Sequence, residues 1–136
     1  PPPPPPPPPF FFPSPPAHPR FCLSRGLGDV YKRQYLNIFK RFEKHITLKR
    51  IGVSGQKKIL NSKVLIIGLG GLGCPLLTYL AASGVGNIGI VDHDKVEITN
   101  LNRQTLFSES DLGKYKVLQA KKKILQINKL VKIKWL

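Results

Sequence analysis

The chain has 136 residues, 22 Lys and Arg against 7 Asp and Glu, and a formal charge of +15. That length suits one domain, and two cysteines, Cys22 and Cys74, are too few for a disulfide framework; with no CxxC pair, no zinc site is read in these residues. Four basic residues against Asp29 put the first 34 residues at +3 and the remainder at +12. This balance suits an acidic protein partner or nucleic acid, but no aromatics interleave with the lysines to form a stacking platform. The abundance of Lys, Ile and Asn fits an AT-rich coding bias, and nucleic acid is the weaker reading.

Residues 1–34 open with nine prolines followed by Phe10, Phe11 and Phe12. Polyproline donates no backbone hydrogen bonds and stays extended and solvated. One reading is a linker or a ligand for aromatic grooves. The preferred one is non-native sequence: a homopolymer, followed by Gly28-Asp29-Val30-Tyr31-Lys32-Arg33-Gln34, which resembles a tail on translated assembled reading frames. The segment is set aside from fold reasoning. No basic start precedes an apolar core, so no signal peptide is read, and a reducing, cytoplasmic setting is expected.

Residues 35–62 form an expected helical segment. Leu36, Phe39, Phe42 and Ile46 stand at helical spacing between Lys40, Arg41, Lys44 and His45. Residues 51–55 read as a turn, with Ser54 capping a short helix through Asn61. From residue 63 to 136 the pattern changes to strand, glycine turn, helix, strand, helix, strand. Lys63–Ile67 is β-branched and read as a buried strand. A helix is expected over 72–82, a strand over 87–91, irregular chain over 101–106, a helix over 114–128 and a strand over 131–136. In the last helix Val117, Ala120, Ile124 and Ile127 are assigned to one face and Gln119, Lys122, Lys123 and Gln126 to the other. The 28 uncharged residues from 64 to 91 have the length of a membrane span. Seven glycines and Pro75 interrupt them, and two strands around a buried helix explain them better.

The alternation implies parallel pairing with right-handed crossovers. The fold expected is α/β, Rossmann-like, the first half of a doubly wound parallel sheet with the first strand at its centre. Since no strands for its other side follow, the chain is read as a fragment with an unpaired apolar edge.

Gly68-Leu69-Gly70-Gly71-Leu72-Gly73 satisfies G-x-G-x-x-G between a strand and a helix. The first glycine permits the tight turn, the second lets backbone approach a ligand, and Gly73 allows close helix–strand packing. Backbone N–H groups at the helix start favour phosphate. Asp92 ends the second strand, where an acid can accept ribose hydroxyls. To this point a nicotinamide- or flavin-dependent oxidoreductase explains the pattern equally well. Asn100-Leu101-Asn102-Arg103-Gln104 and Lys116 then add an Arg and a Lys at the carboxyl end of the sheet. That suits a triphosphate, because Arg grips phosphate in a fork and Lys acts as a point charge.

With GLGGLG, Asp92-His93-Asp94, Asn100-Leu101-Asn102-Arg103-Gln104 and Lys116-Val117, the sequence from about Arg41 to Leu136 resembles the ubiquitin-activating-enzyme-like family of ThiF, MoeB and HesA type. Its detail is similar to the branch that adenylates molybdopterin-synthase sulfur carriers. The resemblance implies ATP-dependent adenylation of the C-terminal glycine of a ubiquitin-like sulfur-carrier protein, for molybdopterin or thiamine synthesis. By resemblance Gly68, Gly70, Gly71, Gly73, Asp92, Asp94, Asn100, Arg103, Gln104 and Lys116 bind the nucleotide. Arg103 and Lys116 act on its phosphates, and Gln104 positions. Magnesium is the implied metal, with its Asp past Leu136, so no metal ligand is assigned within this chain; zinc belongs only to the part beyond Leu136. A homodimer is implied, in which an N-terminal cation reaches the neighbour's ATP: Lys44 holds that position and Arg41 is a substitute. Cys74 is read as a packing residue. An ATP-dependent tRNA-modifying dehydratase of the same superfamily is the remaining alternative, and this chain alone is expected to be inactive.

Overall fold

A computed structural model describes residue 38 and residues 40–135; the reading of residues 1–34 falls outside them, as does most of the start of the first expected helix. A short helix, α1 (Glu43–Ile46), is followed by α2 (Gly52–Asn61), β1 (Lys63–Ile67), α3 (Gly73–Ser83), β2 (Asn87–Val91), 3-10 turns at Ile98–Asn100 and Glu109–Asp111, α4 (Lys116–Ile127) and β3 (Lys132–Trp135). The strands form one parallel sheet in the order β1-β2-β3. Both crossovers are helical, as parallel neighbours require.

Period-two alternation decides which side chains are covered. Ile66, Ile88, Ile90 and Ile133 point to one face and are buried with Leu77 and Ala81 of α3 and Val117, Ala120 and Ile124 of α4. The other face carries Lys63, Leu65 and Ile67 of β1, all exposed, Ile67 at 79 %. This corrects the expectation that β1 is buried: no described element covers its second face. Among the described strands β1 lies at an edge, as expected for the first half of such a sheet.

Three further expectations shift. Where a turn is expected over 51–55, α2 already begins at Gly52, after Ile51, and no side chain caps it. Gly52 N–H donates back to Leu48 O (2.9 Å), so the preceding turn runs straight into the helix and Ser54 sits inside it. α4 begins at Lys116 rather than 114. Gln119, assigned to the solvent face, is buried: covered positions extend one residue around the helix from Lys116 and Ala120.

The N-terminal segment docks on the ends of the helices. Phe42 is buried, and the Arg41 guanidinium donates to Ile127 O at the end of α4 (2.6 Å). Gln56 Nε2 donates to Ser83 O (3.0 Å) while its Oε1 pairs with His45 Nδ1 (2.8 Å); because the amide oxygen can only accept, that ring nitrogen carries the proton. Asn128 ties the same region from below, with Nδ2 donating to Ala81 O (2.8 Å) and Oδ1 accepting from Leu130 N–H (3.1 Å).

Candidate functional site

The glycine turn sits at the carboxyl end of β1. Gly68 has φ +90°, a left-handed conformation that disfavours side chains. Its N–H donates to Val91 O (2.7 Å), which fastens the turn to β2. A Cβ on Gly73 would lie 2.0 Å from Gly68 O, so the helix start and the strand end touch backbone to backbone. The turn is thus closed on itself by its first and last glycines. Between them, no described residue accepts a hydrogen bond from the N–H of Gly70 or Gly71. Two unclaimed donors at the start of α3 are what an anion would take up.

Asp92 ties this turn to the chain beyond β2. Its Oδ2 accepts from Leu69 N–H (2.6 Å) and its Oδ1 from Asp94 N–H (2.8 Å). One carboxylate therefore clamps both sides of the site, and each oxygen keeps a lone pair for a ribose hydroxyl.

After Asp94 the chain runs antiparallel to the approach to α4. Lys116 N–H donates to Asp94 O (3.0 Å), Val96 N–H to Lys114 O (2.9 Å) and Gly113 N–H to Val96 O (2.9 Å). This ladder brings the Lys116 ammonium to Asp94 Oδ2 at 2.9 Å. The Lys116 side chain is 5 % exposed and that of Asp94 53 %. The hydrogen bond from Lys116, and then its charge, hold the Asp94 carboxyl below its ordinary range. Cys74, in the first turn of α3, donates its thiol to Leu69 O (3.2 Å). Burial pushes that thiol up to about 11, Lys116 pulling it down and Asp92 up. Both charged groups thus lie within electrostatic reach of the start of α3. Cys74 itself is a packing residue with too little thiolate to act as a nucleophile.

The N-L-N-R-Q segment wraps the turn from above. Asn100 is buried and its Oδ1 accepts from Glu97 N–H (3.2 Å), closing the 3-10 turn. The Arg103 stem lies over Gly71, its Cγ 3.4 Å from where a Cβ would stand. One arm of its guanidinium donates to Thr99 O (3.0 Å) and Asn102 Oδ1 (3.2 Å). Gln104 is 2 % exposed and its Oε1 has no described partner. The structure therefore brings together the glycine turn with Asp92, Gly71 with Arg103, and Asp94 with Lys116. Arg41 is engaged on α4 of its own chain, and Lys44 is exposed on α1 with no bond to the site.

Sequence reasoning missed a second polar cluster nearby. Buried Asp111 accepts from Ser108 N–H (2.8 Å), from Ser108 Oγ (2.8 Å) and from Lys123 Nζ (2.5 Å). Burial pushes its carboxyl up, but the bonds from Lys123 and Ser108 outweigh that and leave it below the ordinary value. The S-x-x-D spacing of Ser108 and Asp111 was the available signal.

Among the described residues no group of three or more His, Cys, Asp or Glu could hold a metal. Asp92 is committed to two backbone amides and Asp94 to Lys116. These residues do not fit a magnesium cage. No described helix is long and apolar enough to cross a membrane.

Known proteins share this same stretch of residues. A profile described as the ThiF family matches residues 42–136. A probable molybdopterin-synthase adenylyltransferase of Porphyra purpurea is 50% identical over 93 residues, 68% of this chain and 24% of the relative. A sulfur carrier protein adenylyltransferase of Thermus thermophilus is 41% identical over 93 residues, 68% of this chain and 34% of the relative. The chain thus spans between about a quarter and a third of these curated relatives. Among solved structures, E. coli MccB with ATP aligns at TM-score 0.59 with 30% identity, covering 77% of this chain and 38% of that one. The microcin C7 biosynthetic enzyme MccB in complex with N-formylated MccA aligns at 0.60 with 35% identity, covering 78% and 29%.

Proposed function

The chain belongs to the ThiF family, and from that premise we propose that the complete protein uses ATP to adenylate the C-terminal carboxylate of a small sulfur-carrier protein. The observation that carries the reading is the pair of unclaimed amides at Gly70 and Gly71, overlain by Arg103 and clamped by Asp92. A phosphate-bearing nucleotide meets donors there that cost no reorganisation. Asp92 would take the ribose, the glycine turn and Asn100 would take the phosphates, and Arg103 and Lys116 would neutralise them. Gln104 would position neighbouring groups from its buried site.

The chemistry is attack of a carboxylate oxygen on the α-phosphorus, with pyrophosphate leaving. The chain's own residues bind, orient and neutralise charge; none has to exchange a proton, because the nucleophile is already an anion. Carboxylate and triphosphate repel, so cations that offset the phosphates dominate the barrier. Relatives named as adenylyltransferases, one for a sulfur carrier protein, support the substrate class, and the structures of MccB with ATP and of MccB with N-formylated MccA support an ATP-using reading of the aligned fold. A homodimer with Lys44 reaching across is part of the same proposal, supported by the exposure of Lys44 and the engagement of Arg41 on its own α4. Magnesium would have to find its ligands on the triphosphate and on protein groups other than these, and no step is routed through it.

The test is exchange of labelled pyrophosphate into ATP by the complete protein with a carrier ending in Gly-Gly. Exchange that requires the carrier is the expected result. Exchange driven by tRNA instead, or hydride transfer from a dinucleotide, would overturn the reading.

A further inference from the structure

Lys116 is placed where a lysine is costly three times over. Its side chain is almost wholly buried, which penalises the ammonium. It is the first residue of α4, where the helix dipole repels a cation. Among the described residues Asp94 Oδ2 is the one acceptor for its three protons. A residue that served packing alone would shed this charge.

The partner is placed differently. Asp94 is half exposed, and its second oxygen meets only the fully exposed His93 ring, at 3.3 Å. The backbones of the two residues are locked to each other by the Lys116 N–H bond to Asp94 O and by the flanking ladder. Neither main chain has to move for the side chains to part. Asp92, bound to Asp94 N–H on one side and to Leu69 N–H on the other, puts this pair on the same sheet end as the unclaimed amides of Gly70 and Gly71.

We propose that Asp94 is not a nucleotide ligand but the resident counterion of Lys116, a positioning residue that keeps the ammonium buried and aimed until a polyphosphate displaces the carboxylate. The exchange is one of anion for anion. A triphosphate entering the glycine turn reaches the ammonium, and the Asp94 carboxylate swings into solvent, where its hydration offsets the lost pair. The like charge of the displaced carboxylate and the phosphates then opposes too tight a ground-state grip. This rests on the ATP reading of the site but does not depend on adenylation.

The experiment compares ATP and adenosine affinities by calorimetry for the wild-type protein, Asp94→Asn, Asp94→Glu, Lys116→Ala and the Asp94→Asn/Lys116→Ala double variant. Removing the competing anion should tighten ATP binding about fivefold, the scale of one half-exposed ion pair, and leave adenosine unchanged. The gain should vanish in the Lys116→Ala background and be reversed by Asp94→Glu. Equal weakening of ATP and adenosine in Asp94→Asn would make the pair merely structural and overturn the proposal. A gain that survives without Lys116 would overturn it too. Should Asp94→Asn fold poorly, the wild-type protein still decides: tripolyphosphate should shift the Asp94 carboxyl carbon resonance, and an unmoved resonance at saturation refutes the exchange. Exchange without any carrier-dependent adenylate sinks the adenylation reading alone. Failure to bind any triphosphate sinks both.

Discussion

The two flanks of the site are built in different ways. The flank from β1 to α3 is held by backbone sterics, with Gly73 so close to Gly68 O that a methyl group does not fit. The flank from Asp94 to Lys116 is held by side-chain charge over a short backbone ladder. The first is rigid because its atoms have nowhere to go. The second has a backbone fixed by its ladder, but its side chains stay together only as long as their charges match. A nucleotide site gains from the division: the part that recognises phosphate by shape is preset, and the part that meets charge can exchange partners.

Substitutions should separate the two flanks, the largest effect falling on the steric one. Gly73→Ala should cost about 3 kcal/mol or more, because backbone has to move; a urea midpoint within error of wild type would show that the turn is soft. Arg103→Ala should lower pyrophosphate exchange by the complete protein about a hundredfold, the size of one lost charge-stabilising group, while the urea midpoint of this exposed residue stays put. An unchanged exchange rate would remove Arg103 from the phosphates. Asn128→Ala removes one of two bonds to the Ala81 carbonyl, which keeps the one from Gly84 N–H (3.2 Å), and should cost about 1 kcal/mol, a loss that equilibrium unfolding should register without any change in ATP affinity.

The smallest effect is a pH dependence. Asp94 and Asp111 both ionise below the ordinary carboxylate value of 3.8 in the folded chain. Folded values below unfolded ones mean stabilisation that is complete above the unfolded value and drains away as the pH falls through the folded one. Urea midpoints taken from pH 6 downwards should therefore fall below pH 4, and less so in Asp111→Asn. A wild-type midpoint flat across that range would leave these pairs without a role in stability.

Much of the steric flank is legible in the sequence because its constraints are local. Lys63–Ile67 and Asn87–Val91 can be placed to the residue from β-branched runs bounded by turn signals, and glycines 68 and 73 announce a turn that side chains cannot make. The charged flank is legible only as separate residues. Nothing in the spacing of Asp94 and Lys116, 22 residues apart, says that they meet; the ladder that joins them has irregular sequence. Gln119 is misplaced by its pattern because the covered face of α4 is wider than the apolar stripe, and a buried amide looks like a surface one in sequence. Ser54 suggests a cap it does not make, since a chain already turning at Leu48 starts the helix earlier. The exposure of Leu65 and Ile67 cannot be read at all, for an apolar strand does not say how many of its faces are covered.

The order of the sheet has a consequence for synthesis. Strands β1, β2 and β3 are neighbours in the order in which they are made, so each pairs with a strand already outside the ribosome. Lys63 meets Asn87, and Asn87 in turn meets Lys132; the first loop to close is about half as long as the second. Short loops close sooner. The shorter loop is the one that sets the glycine turn beside Asp92, and the longer one brings β3 to that strand pair after Lys116 has been made.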